Sequence, residues 1–400
     1  MSAVPATASA ADSLPRLRRM FDKPHLPLLL TALALVAVGL VMILSASSIQ
    51  AYSEHGTSFS YFKRQMVGFG LGLAAMAVMA RSDYRKLKPL ARPLLTFNIL
   101  LLVAVILPGI GSTRGGSSRW IIVGPVSIQP SEIAKLTLVL FVASILEAKG
   151  SRIRDAREFA VPVLPMTGLV ALLVIAQPDL GTTIILGGGV VVVLFLAGAR
   201  LPHMGLLTLG GLVSVVILSL TRSYRRERVF SFLNPWADPW DTGYQVIQGQ
   251  IAMGSGGFFG LGLGASRQKW SYVPNAHTDF IYAIIGEELG LAGTLTVLGL
   301  IVLLLYLGIR IARQSPDRFG MLLAGGITGV IGLQALINMG SISGMLPITG
   351  VPLPLISFGS SSLVLTMASI GILLSIAKRG RRVKPKPKLP ASQPKATVDG

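Results

Sequence analysis

The sequence predicts an all-α integral membrane protein of about ten transmembrane helices, with a long extracytoplasmic loop between the seventh and eighth. Three observations lead there. Only 13% of the 400 residues are charged, where a soluble globular chain carries about a quarter. Mean hydropathy is +0.67, concentrated in separate apolar stretches. Lys and Arg gather in every second connection between those stretches, as the orientation rule for membrane proteins requires. The net charge of +19 therefore follows topology, and no nucleic-acid partner is expected. With Cys 0, disulfides, thiolate catalysis and Cys-ligated metal centres are excluded.

The apolar stretches begin near Leu26, Met66, Leu90, Ile133, Val161, Thr182, Met204, Phe280, Phe319 and Leu363. The first is too long for a signal-peptide core, so it is expected to be retained despite the "SASS" that follows it. The fourth, Ile133 to Leu146, is short and bounded by Glu132 and Glu147, which leaves a re-entrant segment open. An inside N-terminus puts "RLRR", "RSDYRKLK", "KGSRIRDAR", Arg200, "RQSPDR" and "KRGRRVKPKPK" on the cytoplasmic side, and both termini with them. The chain divides into a cytoplasmic tail (1–25), a polytopic membrane domain (26–377) holding the large outer loop (221–279), and a basic, Pro-rich tail (378–400) expected to be disordered.

Four outer segments break the pattern of a plain bundle: "GSTRGGSSRWIIVGPVSIQPSE", "QPDLG", the stretch from Thr221 to Asp279, and "SISGMLPITGVPLPLISFGSSS". Arg222, Arg225, Arg226, Arg228, Arg267 and Lys269 lie in the long one, on the side where basic residues are disfavoured. Long loops translocate regardless of charge; alternatively these cations face an anion such as a headgroup phosphate. Arg119 and Trp120 stand where a ring prefers the interface, as an anchor or as a ligand contact. Pro130 suits a first helical turn. Glu132 and Lys135 share a face at i,i+3, either satisfying each other or lining a polar cavity.

Asp279 closes "SYVPNAHTDF" at the head of the eighth stretch. There a carboxylate can cap the helix, with Thr278 as the alternative cap, or meet a substrate. His277 stands two residues before it. On a continuous helix Ala283, Gly286 and Gly290 would share its face. Glu287 would lie roughly 12 Å deeper. A buried carboxylate is protonated or paired, so Glu287 and Glu288 are structural hydrogen-bonders or part of a polar path. The chain contains no G-x-x-x-x-G-K-[ST], G-x-S-x-G or H-E-x-x-H. Two classes remain: an enzyme acting on a lipid-linked substrate at the outer leaflet, or a transporter of such a lipid.

The segments "RWIIVGPVSIQPSEIAKL", "AQPDLGTT", "NPWADPWDTGYQVIQGQIAMGSGGFFGLGLG", "AHTDFIYAIIGEELG" and "LPITGVPLPLISFGSSS" resemble those of the SEDS family (shape, elongation, division and sporulation) over nearly the whole chain. "SRQKW" and "NPWADPW" resemble its division branch. Two departures are "GGSSRW", which weakens a paired-cation contact at Ser118, and "SFGSSS", which leaves the catalytic pattern intact.

The resemblance implies a peptidoglycan glycosyltransferase of the bacterial inner membrane that polymerises lipid II at the septum. Asp279 falls on the family's catalytic aspartate, where it would act as general base in an inverting transfer. Trp120 falls on its functionally implicated outer-loop tryptophan, and Glu132 and Lys135 on its charged pair. Arg119, His277, Arg225, Arg226, Arg228 and Lys269 are the further candidates for substrate contact. A class B penicillin-binding protein transpeptidase and other division-complex proteins are the implied partners. No cofactor is certain; a divalent cation (Mg2+ or Mn2+) could share the leaving charge, with no ligand set legible. A lipid II flippase and a non-enzymatic scaffold are the rival readings.

Overall fold

The computed structural model describes residues 24–109, 111–114, 117–123, 126–221, 223–270 and 276–380. The expected tails lie almost wholly outside these residues, and Arg222 lies outside them too. Helices form at every predicted apolar stretch: α1 (His25–His55), α2 (Ser60–Arg81), α3 (Leu87–Ile106), α4 (Pro130–Lys149), α5 (Ala156–Ala176), α6 (Leu180–Ala197) and α7 (Leu201–Leu220), then α10 (Ile281–Arg313), α11 (Arg318–Ile342) and α12 (Ser360–Arg379). Two shorter helices, α8 (Ser223–Leu233) and α9 (Tyr244–Ser255), lie in the long connection. Among the described residues, 8 helices are long and apolar enough to cross a membrane; α2 and α4 fall short because charges stand inside them. The fourth stretch is longer than the apolar run Ile133 to Leu146, since α4 runs 20 residues from its N-terminal Pro130.

Side-chain ties sort the connections to two ends of the bundle. At one end Arg85 meets Asp317 (2.9 Å), Lys88 meets Glu147 (2.6 Å), and Arg318 donates to the carbonyls of Gly150 and Ala197. These are the connections that carry the basic clusters. At the other end Arg119 reaches the carbonyls of Gln177 and Pro178, and Ser361 donates to Ser127 O. Inner helices α11 and α12 are mostly buried, whereas α7 leaves Leu206, Leu209, Leu212 and Val216 exposed. With lipid as the solvent, close backbone approach holds helices together. On α12 a Cβ at Gly371 would stand 2.5 Å from Met76 O of α2.

Beside the helices stands one small element that the sequence did not announce. Between α3 and α4 the chain forms a small antiparallel sheet, β1 (Ser112–Arg114), β2 (Ser117–Val123) and β3 (Val126–Ile128), in that order. The run "RWIIV" in β2 is rich in the β-branched and aromatic residues that favour a strand.

The long connection does not stay outside the bundle. After α9, residues 256–270 run alongside α10 and are joined to its backbone. Gly290 has φ 67° and ψ −162°, which breaks the helix there. The amides of Leu291 and Ala292, deprived of partners in the preceding turn, donate to Gly257 O and Phe258 O. In return the carbonyls of Glu287 and Glu288 accept from Leu261 N and Gly262 N. Four backbone groups that the break would orphan are thereby satisfied, as an apolar surrounding demands. The carboxylates serve the same junction. Glu287 accepts from Ser266 Oγ (2.5 Å) and Arg267 N (2.8 Å), and Glu288 from Ser45 Oγ of α1 (2.7 Å). They are structural hydrogen-bonders. Gly290→Ala would force a side chain into the left-handed region and place its Cβ 2.4 Å from Gly260 N. The expected cost is about 2–5 kcal/mol from backbone strain and overpacking together, measured as a lower thermal unfolding midpoint.

Candidate active site

The site is built on two amides of α11. Gln334 and Asn338 are four residues apart and so lie on one face. Asn338 donates through Nδ2 to Asp279 O and to Val351 O, both at 2.8 Å. Gln334 donates through Nε2 to Pro352 O (2.9 Å) and accepts through Oε1 from Lys135 Nζ (2.6 Å). Lys135 also meets Glu132 at 2.8 Å, both side chains buried. The connection between α11 and α12 is thus held at 351–352 inside the bundle, and one polar chain runs from the Asp279 turn to α4. The i,i+3 pair foreseen in the sequence is present, and it is more than self-satisfying because Gln334 completes it.

Asp279 does not cap α10: the residue before the helix is Phe280, and no side chain caps the first turn. Its carboxylate instead faces the α11–α12 connection. Thr278 Oγ1 donates to Asp279 Oδ1 (2.9 Å). A Cβ placed on Gly350 would stand 3.8 Å from Asp279 Oδ2 and 3.8 Å from Arg228 Nη1, so carboxylate and guanidinium share the space above that glycine. Burial pushes the Asp279 carboxyl above its ordinary range, while the Thr278 hydroxyl and then Arg228 draw it back. Asp279, Asn338, Ser341, Thr349 and Gly350 line a small cleft there.

The other expected contacts separate. Arg228 also donates to Ile348 O (3.4 Å). Arg225 lies against Leu218 O and Ile175 O, tying the ends of α7 and α5. Arg226 is exposed. Lys269 donates to Gly264 O, and its ammonium lies 3.7 Å from Glu288; it belongs to the junction with α10. Arg119 is bound to the carbonyls that end α5, and Trp120 is half-buried on β2. His277 packs against Tyr61 (4.6 Å between ring centroids) and Phe358 (5.4 Å). Burial lowers its pKa to about 4, so the ring is neutral at physiological pH and offers no charge to a phosphate. The structure brings Asp279 and Arg228 together and links them through amides to Glu132 and Lys135.

Sequence reasoning missed Asn338, Gln334 and Asp179. The last accepts from Thr182 N (3.1 Å) at the head of α6 and lies near Ser131 and Gln129. The available signal was two amides at i,i+4 in an apolar helix, which is costly in lipid unless they are used. Among the described residues, no three His, Asp or Glu side chains gather into a cation site. Asp279 belongs to no such group, so the donors among the described residues do not fit a resident divalent ion.

A bundle of membrane-length helices with a polar, carboxylate-bearing cleft at one end defines a multi-pass membrane protein. A profile of the FtsW/RodA/SpoVE family, described as cell cycle protein, matches residues 25–382. Stage V sporulation protein E of Bacillus subtilis is 43% identical over 358 residues, which is 90% of this chain and 98% of that protein. The probable peptidoglycan glycosyltransferase FtsW of Geobacter metallireducens is 40% identical over 358 residues, 90% and 96% of the two chains. A chain of a peptidoglycan synthase complex, described as coordinating polymerization and crosslinking, superposes with a TM-score of 0.73 at 33% identity, covering 90% of this chain and 98% of that one. The chain belongs to the FtsW/RodA/SpoVE family, the SEDS proteins that its motifs resemble.

Proposed function

We propose that this protein is a peptidoglycan glycosyltransferase that polymerises lipid II at the outer leaflet of the inner membrane, with Asp279 as general base. The observation that carries the proposal is a carboxylate partly desolvated beside a guanidinium, in a cleft whose walls are fixed by amide-to-backbone bonds. The acceptor sugar's 4-hydroxyl oxygen attacks the anomeric carbon of the donor. The bond from that carbon to the pyrophosphate oxygen breaks, and the hydroxyl proton passes to Asp279. Undecaprenyl pyrophosphate leaves with the bonding pair. An α-linked donor giving a β-linked product is a single inversion, for which one base suffices. The role assigned to Arg228 in this proposal is to offset the leaving charge.

In this reading Trp120 and Arg119 serve through the outer sheet, and Lys135 through the connection that Gln334 holds. Of the outer arginines, Arg228 carries the effect on turnover, Arg225 acts on the fold, and Arg226 contributes a screened surface charge. Its likeness to a chain of a synthase complex that coordinates polymerization and crosslinking supports a crosslinking partner, which we read as a class B penicillin-binding protein. The septal site rests on the resemblance of its motifs to the division branch, and both cytoplasmic termini on the placement of Lys and Arg. The flippase reading needs polar groups continuing inward; Glu287 and Glu288, which suggested such a path, are held by the 261–267 segment.

The test is glycan formation from purified lipid II by the chain together with its transpeptidase partner, comparing wild type with Asp279→Asn. A second measurement concerns Arg228. The base must be ionised, so activity falls as pH drops through the raised Asp279 pKa. Arg228→Gln removes a charge that lowers that pKa, so the acid limb of the pH–rate profile is expected to move to higher pH. A limb that stays in place would separate Arg228 from the base.

A further inference from the structure

Two polar atoms beside Asp279 have no partner among the described residues: Asn338 Oδ1 and Thr349 Oγ1, both buried. The first is fixed by its own amide. Both Asn338 N–H donors are taken by carbonyl oxygens, Asp279 O and Val351 O, so the amide cannot be turned over and its oxygen is left as a preset acceptor. Native proteins seldom leave such atoms unsatisfied, because the desolvation of the group is then not offset. Both residues line the same cleft as Asp279, which has room for about one water-sized group. One hydroxyl oxygen is the size that fits.

We propose that Asn338 Oδ1 and Thr349 Oγ1 form a subsite for a hydroxyl of the acceptor sugar next to the one that Asp279 deprotonates. This rests on the glycosyltransferase reading and deepens it. A carboxylate alone would accept any hydroxyl in reach. A second hydroxyl, donating to Asn338 Oδ1 and bonded to Thr349 Oγ1, fixes how the ring is presented and so which hydroxyl attacks. The chemistry selected is a sugar with adjacent hydroxyls, and an acceptor lacking the neighbour leaves two buried polar atoms without partners.

Thr349 is the residue to test, because Asn338 also holds the Asp279 turn. Thr349→Val keeps the shape and removes only a hydroxyl that bonds nothing described in the protein, so the thermal unfolding midpoint should hold or rise. With the full chain and its transpeptidase partner, kcat/KM for lipid II should fall about tenfold, the scale of one buried hydrogen bond, and Thr349→Ser should restore most of it. The probes are lipid II and its analogues deoxygenated at C3 or C6 of the terminal N-acetylglucosamine. On the analogue lacking the recognised hydroxyl, wild type should fall at least as far as Thr349→Val does on lipid II, because the Asn338 contact is lost as well, and the substitution should add no further loss. Wild-type turnover by Thr349→Val while Asp279→Asn is inactive would overturn the subsite and leave the base in place. Activity lost together with stability would overturn it as well, by making the hydroxyl structural. Full activity of Asp279→Asn would remove the underlying reading itself.

Discussion

Asp279→Asn abolishes glycan polymerisation and leaves the protein as stable as before or more so. The substitution keeps the size of the side chain and its acceptor to Thr278, and it removes the proton acceptor. General-base catalysis contributes about 10²–10⁴-fold, so turnover should fall by at least that range. The stability half follows from linkage. A carboxyl whose folded pKa is raised above its unfolded value binds its proton more tightly when folded. Stability is therefore lost as pH rises from the unfolded to the folded pKa, and above both values the ionised group is a net cost. Burial raises Asp279 in this way, so the neutral amide relieves a penalty at physiological pH. Thermal unfolding beside a polymerisation assay checks both halves. Wild-type glycan synthesis by the mutant would end the base assignment.

Lys135→Ala is the second large effect, and it acts on both fold and turnover. The ammonium is shared between Glu132 and Gln334 Oε1. Removing it leaves a buried carboxylate unpaired, for which the expected cost is about 3–5 kcal/mol. It also frees the Gln334 amide, whose other end holds Pro352 O in the connection that carries Thr349 and Gly350. Glu132→Ala leaves Lys135 one oxygen partner and should cost less. The double mutant removes both charges, so it should recover stability toward wild type without recovering activity. Unfolding midpoints and polymerisation rates of the three variants decide the matter. A double mutant with full activity would reduce the pair to a mutual structural solution.

The sequence announced what depends on local pattern. Each apolar run became a helix, the basic clusters of the described inner connections fell at one end, and Glu132 met Lys135 because i,i+3 spacing alone puts them together. What stayed hidden depends on partners remote in the chain. Asn338 and Gln334 show in the sequence only as two amides at i,i+4 in an apolar helix, and their acceptors, the backbone carbonyls of 279, 351 and 352, cannot be read from it. Arg225 and Lys269 were legible as charges, but the carbonyls that hold them were not. The sheet around Trp120 was hidden because glycines and serines break the alternation by which a strand is recognised. The break at Gly290 was hidden because a glycine in a long apolar run gives no sign that its neighbours' hydrogen bonds go to residues 257–262.

That break has a bearing on how the outer part of the molecule can move. Leu261, Gly262, Leu291 and Ala292 draw their backbone bonds from one reciprocal exchange, so none can open without stranding the others in an apolar surrounding. The segment after α9 cannot peel away alone, and the stretch of α10 that follows Asp279 cannot unwind alone. The two form one cooperative unit, and hydrogen exchange at those four amides should share a single opening free energy. Any motion that admits a lipid-linked sugar to Asp279 must then carry this unit as a rigid body, with the compliance left to residues 343–350 of the α11–α12 connection, ahead of the bonds that hold 351 and 352.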